Sequence, residues 1–120
     1  MPSERTHVGI ADRFEAAAAH LQKNHYYDWE LVTRFYAALH YVEARLARAK
    51  THCRTHGDRE QKIGDRRYAL QAVYPEYSRL RDQSEAARYF GKQFSDSHLG
   101  PLRESYGHVR LHCRALLGLS

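Results

Sequence analysis

Long apolar runs are missing from this chain. No stretch approaches the roughly 20 consecutive apolar residues that a membrane-spanning helix needs, and the opening MPSERTHVGI lacks the charged-then-apolar order of a secretory signal. Cysteine is nearly absent: Cys53 and Cys113 are too few for a disulfide framework, so a reducing cytoplasm is the expected compartment. Three prolines and seven glycines leave room for long helices, and no segment alternates β-branched with polar residues as a strand does. Glycine-rich phosphate loops, Ser-His-Asp arrangements and acidic metal clusters are lacking too, which leaves kinase, hydrolase and nucleotidyltransferase readings without support. What remains is an all-α chain, one domain over residues 1–120, long enough for a single modest core.

Charge is where the chain is rich. Nineteen Lys plus Arg against fourteen Asp plus Glu give a formal charge of +5, and fifteen of those cations are arginine. Arginine forks onto phosphate more specifically than lysine, so the bias fits a nucleic-acid or nucleotide partner. The codon usage of a GC-rich genome would give the same bias. Nine histidines each sit near their titration point at neutral pH. Nine tyrosines exceed what a small core takes up. Tyrosine favours interfaces because its ring buries area while its hydroxyl keeps a partner, so a homodimer surface is expected; scattered half-buried rings are the alternative.

Apolar periodicity predicts five helices joined by short links, an up-and-down bundle of four to five helices. Residues 10–22 form the first, burying Phe14, Ala17, Ala18 and Leu21. Residues 28–49, DWELVTRFYAALHYVEARLARA, form the longest, with Asp28 as its cap and Val32, Phe35, Leu39, Val42, Leu46 and Ala49 as its stripe. A third spans 58–73, anchored by Ile63, Leu70 and Val73. Pro75 opens a fourth, to Tyr89, and Pro101 opens the last after a loop at 91–100. The last stripe is Leu102, Tyr106, Val109, Cys113 and Leu116.

The phrase FYAALHYVEA (35–44), followed by THGDR (55–59), Tyr77-Ser-Arg-Leu80 and Ala87-Arg88-Tyr89, resembles the HEPN domain family over residues 28–117. A proline often follows the Arg-Tyr pair in that family; Phe90 stands here. The resemblance implies a small helical bundle, commonly dimeric, that acts on RNA or nucleotides. It also implies a two-gene toxin–antitoxin setting in which a nucleotidyltransferase-like partner neutralises a ribonuclease. Ribonuclease members carry Arg, four to six residues, then His at the start of the last helix, where this chain has Arg103 and His108. There the arginine would hold the scissile phosphate and the histidine would move protons, without metal or cofactor.

That motif is statistically cheap. Fifteen arginines, three spacings and nine histidines in 120 residues predict roughly three chance matches, and four occur: Arg13–His20, Arg34–His40, Arg45–His52 and Arg103–His108. Glu104 beside the candidate arginine would repel phosphate, and a five-residue step turns about 140° on a regular helix, so the pair needs an irregular helix start or a second subunit. Arg110 and Arg114 share a stripe with Arg103, and with Arg59 and Arg88 they would line a basic groove for RNA or a nucleotide. The competing reading is a solvated face paired with Asp58, Asp82 and Glu85. No metal site is assigned: His108, His112 and Cys113, or Cys53 with His56, have ligand-like spacing, but Cys113 belongs to the apolar stripe. His40, beside the core stripe, reads first as a half-buried histidine bonded within the bundle. Set against the RNA-directed reading is a catalytically silent dimerisation or protein-interaction module.

Overall fold

Ser3 starts the first helix earlier than periodicity suggests. Its side chain accepts the Thr6 N–H and caps α1, Glu4–Lys23. The structure, a computed structural model, describes residues 2–119. The first turns of α1 look polar because their buried residue is His7, followed by Ala11 and Ala18; Phe14 and Leu21 are half-buried and Ala17 is exposed. His25, at φ 63°, turns the chain into α2, Tyr27–Arg48. Asp28 does not cap α2. It lies in the first turn, and its Oδ1 accepts the N–H of Phe94 at 3.0 Å, tying α2 to the segment before the last helix.

The expected helix over 58–73 is broken. α3 spans only His56–Ile63, capped by Thr55, and the chain continues as two 3-10 turns, Arg66–Tyr68 and Gln71–Val73. Asp65 captures the N–H of Arg67, and Ala69 takes a left-handed φ of 59° that no helix continues through. The anchors survive the break: Ile63, Leu70 and Val73 are all buried. α4, Tyr74–Tyr89, carries Pro75 in its first turn, where the missing N–H costs nothing. α5, Asp96–Leu116, starts five residues before Pro101, because Ser95 and His98 form a reciprocal capping box that outweighs the proline.

α2 is the central element, packed against α1, α4 and α5, with α4 also against α5. The fold is an all-α bundle of five helices. Its core joins Phe35, Val42 and Leu46 of α2 to Tyr77 and Leu80 of α4 and Tyr106, Val109 and Cys113 of α5. Burial of each such large side chain contributes about 1.5–3 kcal/mol. Tyr41, Tyr68, Tyr77 and Tyr106 belong to this core, so the tyrosine surplus that faces outward reduces to Tyr26, Tyr74 and Tyr89. No helix among the described residues is long and apolar enough to cross a membrane.

Candidate functional site around Phe35, Tyr36 and Arg88

The phrases FYAALHYVEA, THGDR, YSRL and ARY lie far apart in sequence and meet at one ring. Phe35 of α2 packs against His56 of α3 at 5.9 Å between centroids, and against Tyr77 of α4 at 5.6 Å. Arg88 of α4 lies over the same ring at 5.9 Å and over Tyr36 and Tyr89 at 5.3 and 5.0 Å. Its Nη1 donates to the Tyr36 hydroxyl at 2.6 Å. Helix spacing explains the convergence: Phe35 and Tyr36 flank the buried edge of α2, and Ser84 and Arg88 sit one turn apart on the inner side of α4.

Arg59 is nearly buried and ion-paired with Glu43, which is buried as well. Its Nη1 also lies 3.2 Å from His56 Nδ1. A guanidinium only donates, so His56 Nδ1 accepts and the neutral ring carries its proton on Nε2. Burial lowers the His56 pKa below its ordinary value, helped by Arg59, Arg81 and Arg88 and opposed by Glu85. In the same region the Tyr77 hydroxyl interacts with the Arg59 side chain, and among the described residues the buried Ser84 hydroxyl has no hydrogen-bond partner. Tyr77 feels the Arg59 charge, and its phenol is held above the usual range chiefly by burial.

Outward from Arg88 opens a cleft of about 350 Å³ lined by Asp28, Trp29, Val32, Ala87, Arg88 and Tyr89. Its rim is aromatic and exposed: Trp29 is 63% and Tyr89 69% accessible, with Phe90 at 76% next in the chain. Tyr89 falls in the Ala87-Arg88-Tyr89 phrase, whereas Trp29 and Phe90 belong to no motif and are marked in the sequence only as large aromatics in polar contexts at helix ends.

The other expected site residues go elsewhere. Arg103 donates twice to Glu30, at 2.8 and 2.9 Å, and pairs with Asp96 at 2.8 Å. Glu30 is fully buried and also holds Arg34 at 2.8 Å. The bond to Glu30 is the main cause that raises the Arg103 pKa. His108 is exposed on a different side of α5, in a shallow cleft with Val73, Glu76 and Leu111. Both lie inside the regular run of α5, so one chain does not bring them together. Arg110 lies 2.6 Å from Glu15. Arg114 meets Asp12 at 3.5 Å and the Tyr41 hydroxyl at 3.1 Å. The expected basic stripe therefore meets carboxylates from three helices: Arg110 and Arg114 face Glu15 and Asp12 of α1, and Arg103 faces Glu30 of α2 and Asp96 of α5.

His40 is half-buried, and its Nδ1 lies 3.0 Å from His7 Nδ1. Burial first, then His7 and Arg59, lower its pKa to about 4. The pair lines a cleft of about 240 Å³ with His52, Cys53 and Glu43. Burial pushes the Cys53 thiol up to about 11, which keeps it protonated. No three of the described His, Cys, Asp and Glu residues are arranged to hold a metal ion. Cys113 is in the core, His108 is exposed, and His112 Nε2 meets the Ala69 carbonyl at 2.7 Å, so this trio does not converge. No protein-family profile matches the sequence, and no curated protein matches it with significance.

Proposed function

We propose that this chain is a HEPN-like helical bundle that binds RNA or a nucleotide at the Arg88 cleft. One observation carries the reading. Of the five arginines singled out by sequence, Arg59, Arg103, Arg110 and Arg114 each have a carboxylate in ion-pair range, and Arg88 has none among the described residues. A partly buried guanidinium with free N–H groups beside exposed Trp29 and Tyr89 offers a phosphate partner and a stacking surface together. His56 packs on Phe35 and does not itself line the cleft, and burial keeps its ring neutral near pH 7. The spatial meeting of the four resembling phrases at Phe35 supports the family assignment.

Metal-independent cleavage by Arg103 and His108, and with it a toxin role, draws no support from the protomer geometry, since Arg103 is committed to Glu30. A second copy and a nucleotidyltransferase-like antitoxin are partners that the resemblance alone implies. Light scattering at micromolar concentration reads the first, expected at about twice 14.0 kDa, and the adjacent gene reads the second. Trp29, the single tryptophan, reports binding directly. Adenosine monophosphate should quench its fluorescence, and Arg88→Gln should weaken that binding by roughly 10-fold or more, as expected for a lost charge-assisted hydrogen bond. No quenching at low salt, or equal affinity in the variant, returns the aromatic rim to the silent interaction-module reading.

A further inference from the structure

A second cleft, of about 260 Å³, lies between α4 and α5 and is lined by Arg79, Gln83, Lys92, Phe94, His98 and Leu102 among its residues. Among the described residues no Asp or Glu lines it. Arg79 Nη1 donates to Ser105 Oγ at 2.7 Å, and Lys92 Nζ donates to Gln83 Oε1 at 2.8 Å. Neutral oxygens hold both cations in place and leave their charge uncompensated. Among the described residues neither has a carboxylate in ion-pair range. His98 Nδ1 accepts the Ser95 N–H, so its ring proton sits on Nε2, which is a donor. Lys92 Nζ stands 5.1 Å from the centre of the Phe94 ring, and His98 meets that ring edge-on.

The second cleft reaches from Arg79, in the first half of α4, to Lys92 beyond its end, and the Arg88 cleft lies at that end. Arg79 and Arg88 are nine residues apart, about 13 Å along the helix axis and roughly half a turn around it. At the helix end Tyr89 lines the Arg88 cleft, and exposed Phe90 follows it in the chain. Gly91 then adopts φ 66°, a conformation open to glycine, and the Lys92 N–H returns to the Ala86 carbonyl at 3.2 Å. That turn carries Lys92 from the side of Arg88 to the second cleft. Along the chain two exposed rings, Tyr89 and Phe90, stand between the cations Arg88 and Lys92, and the buried Phe94 ring lies under Lys92.

We propose that the Arg79–Lys92–His98 cleft is a second phosphate subsite, and that the ligand is an unpaired oligonucleotide strand crossing the C-terminal end of α4 from one cleft to the other. This rests on the Arg88 reading and goes beyond it: a mononucleotide fills one cleft, whereas a strand of roughly four nucleotides or more spans both. A duplex keeps its base faces stacked inside and cannot offer them to Tyr89 and Phe90.

The test compares adenosine monophosphate with oligoadenylates of increasing length by Trp29 quenching and by anisotropy of a labelled strand. Affinity should climb with length and then level off. Lys92→Gln, alone or with Arg79→Gln, should cost the longest strand roughly 10-fold or more, leave monophosphate binding unchanged, and leave the helical circular dichroism intact. Monophosphate binding with no gain from length, or a duplex binding as well as the strand, overturns the second subsite alone. Absence of monophosphate binding by the wild type overturns the Arg88 reading and this one together.

Discussion

Glu30 is fully buried and touches both Arg34 and Arg103, so its charge is compensated from two helices at once. Removing one partner from such a cluster leaves part of a buried charge unpaired. Arg103→Ala should therefore lower stability by about 1–3 kcal/mol in urea unfolding; unchanged stability would mean that Arg103 is free for another task. The His7–His40 contact gives a second prediction. One Nδ1 must donate and the other accept, and burial lowers both pKa values, His40 to about 4. In the unfolded chain these rings titrate near 6.5, so between about pH 4 and 6.5 the unfolded state binds more protons and stability falls as the pH falls. From pH 7 to pH 5, with most carboxylates still ionised, the loss attributable to His40 should be about 1–2 kcal/mol after allowance for its partial exposure. Unfolding midpoints of wild type and His40→Gln at the two pH values check this: the variant should show the flatter dependence.

Helices with an unbroken apolar stripe were legible from sequence, and those set by caps were not. α2 follows its stripe closely, because Phe35, Leu39, Val42 and Leu46 all reach the core. α3 and α5 depart from expectation for local reasons. Asp65 and Ala69 end the third helix early although its apolar anchors remain buried, and the Ser95–His98 box starts the fifth before its proline. Two changes test these local devices. Ser95→Ala should cost about 1 kcal/mol, and Ala69→Gly should gain up to about 1 kcal/mol by relieving the left-handed strain. Thermal unfolding followed by circular dichroism reads both. For the site, Tyr36, Arg59 and Arg88 were within reach of sequence reasoning because the resembling phrases name them. The assignment of Arg110 and Arg114 to a groove missed their true partners, since Asp12 and Glu15 come from a helix whose register against α5 no periodicity reveals.

Across the whole molecule the formal charge of +5 is not spread evenly in its effect. Arginines facing α1 and the buried carboxylates are consumed in joining helices, while Arg88 and Lys92 stand at the end of α4 beside exposed rings and Arg79 lines the second cleft further back along the helix. The central claim is thus about location: ligand binds at the end of α4 and not along the Arg103–Arg114 face of α5. Titrating ¹⁵N-labelled protein with an oligoadenylate while recording ¹H–¹⁵N spectra tests it most directly. The account predicts shifts at the Trp29 indole, the Arg88 side chain and the amides of Tyr89, Phe90 and Lys92, with His108, Arg110 and Arg114 unmoved. Shifts centred on Arg103, His108, Arg110 and Arg114 instead would contradict it.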